Sequence, residues 1–186
     1  MQVKATAFSF RLLASTTKPR LLAALAIKRN FMDHSKIASK ISRKARVALR
    51  PASALDVMRL KRLRLPQTVI SFFSIFEPSE TAEINGVRLS PVDGVIGENT
   101  DYVPGANLSP KGYVVIATTE YGDAYCVDLN VELDGHHPII LMSHEVDWQD
   151  LSDEEIKSSR TVVASSFEQF LEFFASGKLD IEVLNG

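Results

Sequence analysis

Apolar and polar positions change period several times along this chain, and the changes divide it into elements. Between Gly112 and Asn130 two strand-like runs meet at a short turn. Tyr113-Val114-Val115-Ile116-Ala117 is apolar on both alternating faces, which predicts a strand covered on each side. In the second run Tyr125, Val127 and Leu129 alternate with Ala124, Cys126 and Asp128, which predicts a strand nearer the edge of the sheet. Tyr121-Gly122 supplies a glycine where a two-residue hairpin requires positive φ, with Glu120 and Asp123 on either side. This hairpin is read as the centre of the fold.

The rest of the chain is organised around it. Asp33 is placed to cap a helix with Ile37, Ile41, Ala45, Ala48 and Leu49 on one side, ended by Pro51. Ser53, with Asp56 three residues on, opens a second helix through Leu55, Val57, Met58, Leu60 and Leu63, its Arg59, Lys61, Arg62 and Arg64 pointing outward. Leu65-Pro66 opens a third, whose Val69, Ile70, Phe72, Phe73, Ile75 and Phe76 give a broad apolar surface for burial, stopped at Glu77-Pro78. Around Asn85-Gly86 the period drops to two, and Val87 and Leu89 predict a short edge strand. Glycines, prolines and polar residues between Val92 and Pro110 predict an ordered surface loop. Pro138 introduces the strand Ile139-Ile140-Leu141-Met142. Past an acidic segment, Phe167, Phe170, Leu171 and Phe174 fall at i, i+3, i+4 and i+7 on a last helix capped by Ser165 or Ser166 and closed by Gly177. Leu179 to Leu184 is read as a final extended piece.

Charge changes this picture more than composition does. The net charge is −2, but up to Leu65 sixteen Lys and Arg stand against Asp33 and Asp56, a balance of +14; the remainder has five against twenty-one, a balance of −16. The asymmetry argues for two regions with different jobs, and the chain is read as a basic extension, residues 1–51, followed by a domain over 52–186 whose start rests on the resemblance given below. Residues 1–31 hold no acid, a composition compatible with an organelle transit peptide; the reading preferred here is a tail or an over-extended start, with Met32 the functional beginning. The longest apolar run, Leu21 to Ile27, is far short of the ~20 residues that span a bilayer. Cys126 has no partner for a disulfide, which points to a reducing, cytoplasmic setting.

Chemistry is sparse. His136, His137 and His144 lie among Asp134, Glu145 and Asp147, yet adjacent histidines on a strand point to opposite faces, so no metal is expected. There is no nucleophile elbow and no phosphate loop, and Cys126 reads as a small buried residue; neither an enzyme nor a cofactor is expected. The basic extension lacks the interleaved aromatics of a nucleic-acid module. What remains is an acidic region with aromatics that read as exposed: Tyr102, Tyr121 and Trp148. Such a surface favours a basic protein partner.

The order of several signals resembles the SUKH superfamily of Smi/Knr-type domains: Leu65-Pro66 with Phe72 and Phe73, Val114-Val115-Ile116-Ala117, Gly122 to Asp128, His144-Glu145, and Ala164 to Leu171. The resemblance spans about Ala52 to Leu179. It departs from the family in placing Asn85-Gly86 late after the Leu-Pro helix and in carrying the basic leader. It implies an α+β domain with helices around a largely antiparallel sheet and no catalytic residues. Bacterial members resemble immunity proteins that neutralise toxins, often nucleases; fungal members act as interaction proteins in cell-wall synthesis and signalling. The chain is therefore read as a non-enzymatic binding module of immunity type, with a regulatory or scaffold protein as the alternative. Its expected contact residues are Glu120, Tyr121, Asp123, Asp147, Trp148, Asp150 and Asp153.

Overall fold

A strand apolar on both faces needs cover on both, and the structure supplies it. The computed structural model describes residues 34–148 and 150–179; the readings made for residues 1–31, for Asp33 as a cap and for the stretch past Leu179 fall outside them. In chain order the elements are α1 (34–45), β1 (Leu49–Arg50), α2 (Ala54–Arg62), α3 (Gln67–Phe76), β2 (Glu77–Pro78), β3 (Ala82–Ile84), β4 (Val87–Leu89), α4 (Val92–Thr100), α5 (Gly105–Leu108), β5 (Tyr113–Thr119), β6 (Ala124–Asp128), β7 (Ile139–Met142), α6 (Asp153–Ser159), β8 (Thr161–Ala164) and α7 (Phe167–Ser176). Strands β3 to β8 form one antiparallel sheet in sequence order, and β1 pairs with β2 separately. The architecture is α+β, as expected.

Alternation sorts the sheet residues into two layers. Val114, Ile116, Tyr125, Val127, Ile139 and Leu141 pack in the main core with Ile37 and Ile41 of α1, Phe72 and Phe73 of α3, and Phe167, Phe170, Leu171 and Phe174 of α7. Each such side chain contributes about 1.5–3 kcal/mol by leaving water. The opposite face, with Tyr113, Val115, Ala124, Cys126, Ile140 and Met142, is covered by Leu108, Trp148 and Ile156. β6 is thus an interior strand between β5 and β7 with all five residues buried, not an edge strand. Its small Ala124 and Cys126 share the second layer with the Trp148 indole rather than facing water. Asp128, fully buried, is paired with Arg160 at the end of α6 and accepts the Asn130 N–H at 3.0 Å.

Three other expectations change. The first helix stops at residue 45, with Arg46 at φ 59°, because Leu49 and Arg50 pair as a strand with Pro78 and Glu77. Its Ile37, Ala38 and Ile41 sit in the main core, and the packed unit begins at His34, so this helix belongs to the domain body. The single strand at Val87 is half of a hairpin with β3, turning through Asn85 and Gly86 at φ 51° and 74°.

The 92–110 loop is largely helical. Its glycines make close contacts instead of breaking α4: a Cβ on Gly94 would lie 2.8 Å from that of Ser90, and one on Gly105 would lie 2.0 Å from the Glu98 carbonyl oxygen. Glu77, 4 % exposed, accepts the Val92 N–H at 3.1 Å and serves as the missing cap of α4.

Local end signals hold as read. Ser53 caps α2 through the Asp56 N–H, Ser166 caps α7 through the Gln169 N–H, and Gly177 closes α7 at φ 72°. Among the described residues no helix is long and apolar enough to cross a membrane.

Candidate functional site

Three connections meet at one end of the sheet and enclose an open groove of about 590 Å³. The α4–α5 connection contributes Val103 and Pro104, the β5–β6 turn Tyr121 and Gly122, and the segment after β7 His144 to Trp148, with Asn107 of α5 on the wall.

The β5–β6 turn has three residues rather than two. Thr119 N donates to Asp123 O at 2.8 Å and Gly122 N to Thr119 O at 3.2 Å, leaving Glu120, Tyr121 and Gly122 as the loop. Gly122 takes the left-handed position at φ 100°, as a three-residue hairpin requires. A Cβ there would meet the His144 side chain at 3.5 Å. The turn therefore projects Tyr121 outward, 62 % exposed, and it shares the groove lining with Val103 at 73 %.

Asp123 sits beneath this tip. One carboxylate oxygen accepts both the His144 backbone N–H at 3.0 Å and the ring Nδ1–H at 2.7 Å. The other accepts the Thr119 hydroxyl at 3.3 Å, while the same hydroxyl accepts the Asp123 N–H at 3.0 Å. Facing a carboxylate, Nδ1 carries a proton and donates it to Asp123, and Nε2 points away from that carboxylate. Burial pushes the Asp123 carboxyl up, but the His144 backbone and ring and the Thr119 hydroxyl outweigh it and hold the group below the ordinary value.

A carboxyl depressed on folding stabilises the fold above its unfolded value, and that contribution is lost as pH falls through the lower folded one. Wild-type stability should therefore decline on acidification through and below the ordinary carboxylate range, near 3.8. In Asp123→Asn the decline should be shallower, which urea unfolding at a series of pH values measures. Parallel slopes in the two proteins would exclude this linkage.

Trp148 closes the segment on itself. Its ring is 2 % exposed in the second core layer, and its Nε1–H donates to Ser143 O at 2.7 Å. Lys111 Nζ donates to Leu151 O at 2.8 Å and to Trp148 O at 3.3 Å, tying the following chain down. The groove is a set of loops pinned at Asp123, Trp148 and Lys111.

Of the expected contact residues, Glu120 and Tyr121 stand exposed at the hairpin tip and Asp147 on the groove wall. Asp150 and Asp153 are exposed toward α6, outside the groove lining. Asp123 and Trp148 are buried, contrary to the reading of Trp148 as an exposed aromatic; they hold the walls from below. Val103, Pro104 and Asn107 escaped sequence reasoning because they lie in the segment read as plain loop. His144 drew notice as a metal candidate and as part of the family resemblance, and no signal in the sequence links it to Asp123, 21 positions away.

Among the described residues, no three His, Cys, Asp or Glu side chains gather as a metal-binding group. His137 Nδ1 is engaged with the Val131 carbonyl at 2.8 Å. Burial pushes the Cys126 thiol far above its ordinary range, which leaves it protonated and inert.

The model of the SMI1 / KNR4 family (SUKH-1) matches residues 58–172, more than half of the chain. The chain belongs to this family. The match covers α3, the sheet from β3 to β8 and most of α7, together with every wall of the groove. A search of curated proteins returns no match. SMI1 / KNR4 domains are generally binding proteins without catalytic activity, and a protein partner is what membership suggests for this chain.

Proposed function

We propose that this SMI1 / KNR4 domain is a non-enzymatic module of immunity type, which docks a basic protein partner, a toxin domain such as a nuclease, in the groove. The observation that carries this reading is the groove lining, which brings exposed Val103 and Tyr121 together with the exposed acids Glu145 and Asp147, while exposed Tyr102 and Glu120 adjoin Val103 and Tyr121 in the chain. Aromatic anchors supply contact area at low entropic cost, and the acids steer and orient a basic surface. Neutralisation then requires only that the docked domain cover the partner's working cleft. Asp123 and Trp148 act from beneath by fixing the walls, and Asp150 and Asp153 extend the negative field. A cytoplasmic setting fits this role.

A photo-reactive residue at position 121 of the full chain, irradiated in the native host, should cross-link one basic protein, identified by mass spectrometry. With that protein in hand, Glu145→Lys combined with Asp147→Lys should lower the association rate about tenfold at low salt and flatten its salt dependence. Unchanged kinetics, or cross-linking only from positions remote from the groove, would refute the assignment.

A further inference from the structure

The molecule carries a second exposed apolar patch, on α2, and its charge is opposite to that of the groove. Leu55, Met58, Arg59 and Arg62 fall at i, i+3, i+4 and i+7 and form one outward stripe, with Leu55 59 % and Met58 49 % exposed. On the inward side Leu60 is fully buried, and α2 packs on α3 and α4. Its stripe thus faces away from its own body. Arg59 has only an exposed pair with Asp56 at 3.6 Å, and Arg62 forms no ion pair among the described residues. The groove offers the complement: Tyr121 and Val103 for the apolar side chains, the lining acids Glu145 and Asp147 for the guanidinium groups, with exposed Glu120 next to Tyr121 in the chain.

From this complementarity we infer that α2 of one copy docks in the groove of a second, a head-to-tail contact of the helix-in-groove kind. The inference rests on the groove being a docking site. It adds that the site is self-occupied at high concentration, so a basic partner must displace α2. A two-turn helix buries little area, and the contact is correspondingly weak, on the order of 0.1 mM.

The test uses the full chain. Light scattering over a concentration series should show the mean mass rising above that of the monomer and falling back as salt is added. A helix variant, Met58→Glu, and a groove variant, Tyr121→Lys with Glu145→Lys, should each remain monomeric. All three substitutions are at exposed positions. An equimolar mixture of the two variants should form pairs and stop at two, since one intact helix then meets one intact groove.

The inference is overturned by a wild-type chain that stays monomeric, by a groove variant that still self-associates, or by a mixture that does not pair. Binding of the monomeric chain through Met58 to phosphatidylserine vesicles would likewise replace the second copy as the occupant. Cross-linking of a basic protein at position 121 by a chain that is always monomeric sinks only this inference. Self-association with no external partner sinks only the proposed function.

Discussion

Replacing Asn99 by alanine is expected to lower the unfolding free energy by about 2–6 kcal/mol, from two buried polar groups left without partners at about 1–3 kcal/mol each. Strand β4 pairs with β5 only at Thr118 and Thr119, so further along β5 has no strand on that side. Asn99, 5 % exposed on α4, takes the place of one. Its Oδ1 accepts the Val115 N–H at 2.8 Å, and its Nδ2–H2 donates to Val115 O at 2.8 Å and to Val95 O at 2.8 Å. An alanine there orphans both Val115 groups inside the fold, next to the irregularity in the β5–β6 register between Val115 and Ala117. The melting temperature should fall by roughly 4–24 °C, at about 2–4 °C per kcal/mol for a domain of this size. Val115 amide exchange should accelerate to match. A loss below about 1 kcal/mol would mean that water or a shifted backbone takes over the amide's role.

Arg160→Met should cost about 3–5 kcal/mol, because it leaves the Asp128 carboxylate buried without its cation. Asp128 is fully buried, and the Arg160 side chain is 18 % exposed. The remaining partner is the Asn130 N–H. The pair joins the end of β6 to the junction of α6 and β8, so its loss loosens the acidic end of the second layer. Arg160→Met combined with Asp128→Asn should recover much of the deficit, since the uncompensated charge is then gone. Urea unfolding of the two single variants and the double gives the coupling energy. Additive effects would show that the two side chains act independently.

What was legible in the sequence was local. Ser53 with Asp56, Ser166 with Gln169, and Gly177 announce helix ends through contacts within four residues, and the Phe167 to Phe174 stripe needs no knowledge of what it packs against. The doubly apolar β5 likewise advertises cover on both faces. Its partner strand was misplaced because Asp128 reads as wet, and the arginine that neutralises it stands 32 positions later. The same distance problem hid α4. The segment Val92 to Thr100 has two glycines and a weak apolar face; it is helical because Glu77, Ser90 and β5 hold it. At the candidate site, Tyr121 and Asp147 could be singled out as an exposed aromatic and an acid near turns. That Asp123 turns inward to His144, and that Trp148 finds room over Ala124 and Cys126, follows only once β6 and β7 are side by side.

Apart from Asn107 of α5, the groove is lined by connections between elements, while Asp123, Trp148 and Lys111 reach back toward the frame and hold those connections. Recognition and folding are thereby assigned to different parts of the chain. Tyr102, Val103, Glu120, Tyr121 and Glu145 are exposed, so substitutions there should cost little stability, and under the docking role proposed above such a surface could be altered without rebuilding the frame.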